Sequence, residues 1–491
     1  MVISKGFTTY NTTLKECVMK SHTKTEIIFP KRIVLSEGKF TNLDSLLREK
    51  TLQIGLNEPD YVTVEGNGFV VLDFGKEICG TARFLTFLVS GPTKARLRFG
   101  ESVGETMAEL GYKGACNDHS NRDEVVELSN FSDMRFMQTG FRFLRIDFIQ
   151  EGVLRLKTVV AEGEIYSNKT IYEYDGKDER VKEIFNVAKR TVDLCGSSGF
   201  IWDGVKRDRL VWIGDMYPET MAYATLYGRC DVVERSLDFI VDQTPLPGWM
   251  NGMPAYSMWW IMILTDYAVK VGAFDYLEKQ MPYMEKLVKL MNEHVGENGE
   301  LLYPGLFVDW PTHDQPDEPS GVRAINIIAA KRAIDNFKRF GIDTKNAEEL
   351  LKKLNKQDMP VEKAKQVLAL KYFATGKLSK KEADMLIEGG AKGFSTFMSY
   401  FILTAIADLH GKKVAYDLMK EFYGAMLDRG ATTFFEDFNM DWLEGSGRID
   451  ELTPDGMLDI HGDFGAYCYI GYRHSLCHGW SAGVIPFIKE N

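Results

Sequence analysis

The chain has 491 residues, 45% hydrophobic and 26% charged, an ordinary globular composition long enough for two to four domains. A net charge of −11, with no Lys/Arg-rich run interleaved with aromatics, excludes a nucleic-acid footprint, and no apolar stretch approaches the ~20 residues of a membrane span. Seven cysteines, an odd number widely spaced, fit reduced thiols in a cytoplasmic protein.

The first segment, Met1 to Lys24, is polar and Thr-rich, without the apolar stretch of a signal peptide. Residues up to about 168 read as β. Tyr61-Val-Thr-Val, Phe69-Val-Val-Leu-Asp-Phe, Ala95-Arg-Leu-Arg-Phe and Phe141-Arg-Phe-Leu-Arg-Ile-Asp-Phe alternate, and their spacing predicts an antiparallel β-sandwich. Gly100-Glu-Ser102-Val-Gly104 fits the G-x-S-x-G nucleophile elbow. That elbow needs strand alternating with helix around it, so a hairpin turn between strands is expected instead. From Asp178 the period changes. Val181, Ile184, Phe185, Ala188 and Val192 recur at helical spacing, as do Met284 to Val295, Ile325 to Phe337 and Phe401 to Leu409, which predicts an all-α region. Its charged stretch from Lys345 to Lys381 is expected as an exposed helical hairpin.

Within the helical half, Asp203-Gly-Val-Lys-Arg207-Asp208-Arg209-Leu-Val-Trp212-Ile-Gly-Asp215 gathers three carboxylates, two guanidiniums and an indole after a Gly-Ser-Ser-Gly turn. Neither a helix nor a strand has use for this mixture. It suits a polar, neutral ring such as a sugar, with the Trp face over C–H surface and Asp and Arg on hydroxyls. The bland alternative is a surface salt-bridge loop, which rarely holds a Trp and two Gly in register. Farther along stand Val308-Asp309-Trp310, Gly430-Ala-Thr-Thr-Phe-Phe-Glu436-Asp437 and Ser475-Leu-Cys-His478-Gly-Trp480-Ser-Ala-Gly.

In this order the four segments resemble motifs of glycoside hydrolase family 78, the bacterial α-L-rhamnosidases, which are six-hairpin glycosidases. The first is similar to D-C-P-x-R-D-E-R-L-G-W-T-G-D: Asp215, Gly214, Trp212, Leu210 and Arg209 match from the C-terminal end. Asp208 stands where the family has its general-acid Glu, and the segment from Asp203 is one residue shorter. Glu436 matches the general base of T-x-W-E, with Phe435 where Trp is common; His478 matches the sugar-binding His of S-L-N-H-G-W-x-A-G, and Trp310 the pocket Trp of G-D-W. Asp73-Phe-Gly, Gly100-Glu101 and Gly140-Phe-Arg-Phe resemble the β domain that precedes the family's barrel.

The resemblance implies a β-sandwich over 1–170 followed by an (α/α)6 toroid over 171–491, without the C-terminal β domain usual in the family. It implies an inverting glycoside hydrolase that releases terminal α-L-rhamnose from small rhamnosides or rhamno-oligosaccharides. Asp208 would be the acid and Glu436 the base. Asp203, Arg207, Trp212, Asp215, Trp310 and His478 would hold the sugar, with Trp260 preferred over Trp259 as a further pocket residue. Arg207 and Arg209 are expected to face hydroxyls or the other aspartates, since a guanidinium against the acid would oppose its work. Asp437, Asp441 and Glu444 are rival bases. His461, His474 and His478 with Cys468 and Cys477 lack any common zinc spacing, so neither metal nor cofactor is expected. The partner is the carbohydrate, with a homodimer left open. The alternatives are a six-hairpin glycosidase of other specificity and a catalytically silent carbohydrate-binding protein.

Overall fold

The computed structural model describes residues 22–491. All but the last three residues of the Met1 to Lys24 segment lie outside them. Seven strands form the N-terminal third, called here the β half: β1 (Thr23–Ile28), β2 (Arg32–Thr41), β3 (Val62–Ser90), β4 (Thr93–Gly100), β5 (Asp123–Glu127), β6 (Ser132–Gln150) and β7 (Val153–Tyr166). Every pairing is antiparallel, in the order β1-β7-β3-β6-β4-β5 with β2 on β3. The segments Tyr61 to Val64 and Phe69 to Phe74 are parts of one strand, the 29-residue β3. That strand folds around the sheet: Val153 of β7 pairs with Glu65 near one end and Ser90 at the other. One hydrogen-bonded sheet thus wraps a core of Val70, Leu72, Phe74, Phe84, Phe141, Leu144 and Leu154. Its inward residues alternate with outward ones, as the period-two pattern requires.

Helices fill the rest, and among the described residues no strand element follows Tyr166. Helix Glu179–Cys195 starts at Asp178, whose carboxylate accepts from the N–H groups of Arg180 and Val181, and stops at Gly196. The predicted periodic segments fall in Glu179–Cys195, Phe274–Glu293, Glu318–Phe340 and Ser399–His410, except that Val295 lies just beyond the second. Helix Pro254–Val271 is apolar around most of its circumference, so it is buried among neighbours on several sides rather than lying on a surface. No helix among the described residues is long and apolar enough to cross a membrane.

Two local expectations are corrected. Lys345 to Lys381 is not an exposed hairpin: inside it Val367-Leu-Ala-Leu370 is wholly buried, in helix Lys365–Thr375, which packs on Glu318–Phe340 and Ser399–His410. Lys365 turns inward and caps the carbonyls of Glu388 and Gly390 at 2.8 and 2.7 Å. Gly100 to Gly104 leads not into a hairpin turn but into the short helix Val103–Met107, capped by Ser102. Ser102 Oγ lies 2.7 Å from His461 Nδ1, but both residues are sealed from solvent, which leaves no nucleophile for a substrate to meet.

The two halves join on a mixed surface. Cys79, Ile165, Leu194, Cys195, Val205 and Cys477 form a small apolar cluster there. Arg142 of β6 grips Asp73 of β3 through two 2.9 Å contacts and donates to the Gly430 carbonyl at 2.8 Å. A Cβ on Gly140 would come within 2.6 Å of the Val205 side chain and 2.8 Å of the Lys206 nitrogen, so this close approach of β6 to the 203–210 loop needs glycine.

Candidate active site

Three loops of the helical region are zipped together. Asp203 and Leu210 close the first: the Asp203 N–H donates to the Leu210 carbonyl at 3.1 Å, and the Leu210 N–H to Asp203 Oδ1 at 2.9 Å. The second and third exchange bonds between Glu436 and Ser475. The Glu436 N–H donates to the Ser475 carbonyl, and the Ser475 N–H to Glu436 Oε2, each at 3.0 Å. His478 N–H reaches the Phe434 carbonyl at 3.0 Å and Gly479 N–H the Asp203 carbonyl at 2.8 Å. The shared frame brings residues more than 230 positions apart to one place.

The frame surrounds a small cavity of about 150 Å³. Asp203, Arg207, Asp208, Trp212, Asp215, Trp310, Glu436 and His478 all line it. Trp260 does not: it is wholly buried in helix Pro254–Val271, packed edge-on against Tyr283, a core residue of an apolar helix. Asp309 caps the short helix Trp310–Thr312 and so sets Trp310 at the cavity edge, stacked on Tyr467 at 5.2 Å. Sequence reasoning missed Tyr256, Tyr469, Arg473 and Trp480, which also line the cavity. Trp480 sits inside the quoted His478-Gly-Trp480 segment, and the repeated aromatics around Tyr467 to Tyr472 were the other available signal.

Arg207 departs from expectation. Its Nη1 donates to Asp208 Oδ1 at 2.9 Å and its Nη2 to Glu436 Oε1, so one guanidinium bridges the expected acid and base. Its Nε is held by the Arg473 carbonyl at 3.0 Å. Burial works against its charge, but Glu436 and Asp208 more than offset this and raise its pKa. Arg209 points elsewhere, donating to the Gln138 carbonyl at 3.1 Å and lying over the Trp202 ring.

His478 Nε2 lies 3.7 Å from Glu436 Oε1, 3.8 Å from Asp203 Oδ2 and 3.9 Å from Asp215 Oδ2, with its ring against Trp480. Burial, then Arg207, holds the imidazole neutral, its pKa well below the usual histidine range. The carboxyls are displaced the other way. Burial, then the charges of Asp208 and Asp215, pushes Asp203 well up, and burial raises Glu436 against the pull of Arg207. Asp215 is raised to about 8 by burial, then by Glu436 and Asp208, although Tyr256 donates to it at 2.7 Å. Three buried polar atoms on the lining residues find no partner among the described residues: Trp212 Nε1, Tyr469 Oη and His478 Nδ1. Buried polar groups are seldom left so, and a ligand with several hydroxyls would complete them. The arrangement therefore provides several carboxyls with pKa values raised by burial, one fixed cation and aromatic faces around one small space.

The rival bases stand apart from it. Asp437, raised to about 7 chiefly by burial, lines a neighbouring cavity with Phe438 and Trp442. Asp441 is paired with Lys392 at 2.6 Å on the surface, and Glu444 lines neither cavity. Of the His/Cys group, His461 converges with Glu101 and Glu105 as a metal's ligands would. The place of a cation there is taken by the fully buried Lys206 ammonium, 3.0 Å from Glu105, 3.4 Å from Glu101 and 3.5 Å from His461 Nε2.

No family model and no curated protein matches the sequence. Solved structures do match the fold. The rhamnosidase from Klebsiella oxytoca with rhamnose bound superposes over 96% of this chain and 96% of its own, with a TM-score of 0.72 at 17% identity. The GH78 family rhamnosidase of Bacillus sp. GL1 covers 88% of this chain and 47% of its own length, at TM-score 0.69 and 18% identity. For the Streptomyces avermitilis α-L-rhamnosidase complexed with L-rhamnose the figures are 86%, 42%, 0.63 and 17%. This chain thus spans nearly all of the first protein and under half of the other two. Its fold is that of the α-L-rhamnosidase structures.

Proposed function

We propose that the chain is an inverting glycoside hydrolase that releases terminal α-L-rhamnose from small rhamnosides or rhamno-oligosaccharides, working in the cytoplasm without a cofactor. The observation that carries this is the cavity itself, where Asp208 and Glu436 meet one guanidinium among unpartnered polar atoms, on a fold whose solved counterparts include two with rhamnose. Glu436 takes a proton from a water that attacks the anomeric carbon; the glycosidic C–O bond breaks and Asp208 protonates the departing oxygen. Asp203, Arg207, Trp212, Asp215, Trp310 and His478 hold the sugar. The described architecture supports reading 1–170 as a β-sandwich domain and 171–491 as an (α/α)6 catalytic domain.

The Arg207 contact favours a second reading. A guanidinium held between the two carboxyls suits a catalytically silent carbohydrate-binding protein, because both carboxyls are already engaged by it. A panel of aryl glycosides, with proton NMR of the first sugar released, separates the readings. Turnover of the α-L-rhamnoside with β-L-rhamnose appearing first is expected. Turnover of another glycoside reassigns the sugar, a retained anomer replaces the mechanism, and binding without turnover establishes the silent reading.

A further inference from the structure

His119 belongs to the β half, in the loop before β5, 89 residues ahead of Asp208 in sequence, yet its ring meets Asp208 twice. Its Nδ1 accepts the Asp208 backbone N–H at 2.6 Å and lies 3.1 Å from Asp208 Oδ1. The loop that carries it is pinned on both sides. Asp118 holds Arg473 at 2.8 Å, while Ser120 Oγ and Arg122 Nη1 both donate to the Lys206 carbonyl, at 3.2 and 3.3 Å.

The backbone shows why such a grip is needed. Asp208 and Arg209 have φ of 54° and 56°, two consecutive residues with side chains in the left-handed region. That conformation is unfavourable for a residue with a side chain, and such a pair persists where the surroundings over-determine it. Outside any helix or strand, the Asp208 N–H takes its partner from His119 alone among the described residues. His119 does not line the cavity, so contact with the bound sugar is not its role.

We infer that His119 is a positioning residue, whose unprotonated Nδ1 holds the Asp208 N–H and thereby fixes the left-handed turn that aims the Asp208 carboxyl into the cavity. An acceptor at Nδ1 requires the tautomer with its proton on Nε2. An imidazolium would give up this bond and face Oδ1 instead. The charged groups around the ring are Asp208, with Arg207 upon it, and Asp118, with Arg473 upon it. The inference rests on Asp208 serving as the acid.

Its test compares H119A, H119N and D208N in the full chain on methyl α-L-rhamnoside, a poor leaving group, and 2,4-dinitrophenyl α-L-rhamnoside, an activated one. H119A should lower kcat on the methyl glycoside by about 10²-fold, the scale of an ångström's misplacement, and far less on the dinitrophenyl glycoside. The Asn of H119N presents an oxygen near the position of Nδ1 and should recover most of that loss. Binding of free rhamnose should be unchanged in both. Equal losses on the two substrates, or no loss in H119A while D208N shows the leaving-group pattern, would overturn the inference. If H119A does not fold, H119Q, with its oxygen at the reach of Nε2, takes its place against H119N. Amide exchange in the 205–211 segment separates this failure from that of the hydrolase reading: protection lost in H119A or H119Q and kept in H119N supports the grip even without turnover. Unchanged protection in all variants removes it.

Discussion

Arg207 is expected to loosen its hold when a sugar enters, because Nη1 and Nη2 each donate to a carboxyl that the reaction would use. If Asp208 is the acid, D208N should cut hydrolysis of poor-leaving-group rhamnosides by about 10²-fold or more while sparing activated aryl glycosides. Equal loss on both classes transfers the role to Asp215, whose carboxyl keeps its proton up to about pH 8. Asp215 also makes a claim on stability. The native state holds a proton that the unfolded chain releases near 3.8, so the native form binds more protons across the interval from there to about 8. Stability should therefore fall as pH rises through this window, by up to about 1.4 kcal/mol per unit for the one group. Melting temperatures of the wild type and D215N from about pH 5 to about pH 8 check it: D215N should flatten the decline, and parallel profiles would reject the assignment. Residue types and their order along the chain were readable in Asp203 to Asp215 and Ser475 to Gly483. The Arg207–Glu436 bridge was not, since it joins positions 229 apart through loops without periodicity. Trp260 was misplaced because an indole in an apolar run looks the same in sequence whether it faces a core or a cavity.

At the scale of elements, tight spaces decide more than propensity does. A Cβ on Gly479 would lie 1.6 Å from Glu219 Oε1, a carboxyl on helix Met216–Tyr227 whose oxygens find no partner among the described residues. G479A should thus destabilise the fold by about 1–3 kcal/mol, the usual cost of overpacking, and weaken rhamnose binding by shifting His478 and Trp480 on either side. Shortening the opposing side chain in G479A/E219A should restore both, as denaturant unfolding and calorimetry would show; failure to recover binding would place the defect in the backbone of the loop. The strand and helix periods made most elements legible, from the alternation of Phe141 to Phe148 to the spacing of Val181 to Val192. They failed where one element carried two patterns. β3 reads as separate strands because Glu65 to Gly68 breaks its alternation, and helix Lys365–Thr375 hides a buried Val367 to Leu370 within a charged stretch.

For the molecule as a whole, Lys206 is a further tie between the halves. Its ammonium, wholly enclosed, pairs with Glu101 and Glu105 beside β4 and donates to the His474 carbonyl at 2.6 Å, while Glu101 accepts from Ser475 Oγ at 3.0 Å and Leu476 N–H at 2.6 Å. K206M would strand two enclosed carboxyls, so a loss of about 3–5 kcal/mol is expected in denaturant unfolding; a change within a few tenths would show that the cluster relaxes by taking up protons. The same loop that holds Glu436 thus leans on the sheet through Glu101, and the turn at Asp208 leans on it through His119. Inheritance is constrained accordingly. A β half of this kind is not an exchangeable module: a chain that acquired another sheet by recombination would have to bring its own equivalents of Glu101, His119, Arg122 and Gly140 at the same moment. The two halves are therefore expected to have descended together, and changes at these four positions to be answered by changes at Lys206 and in the loops it meets.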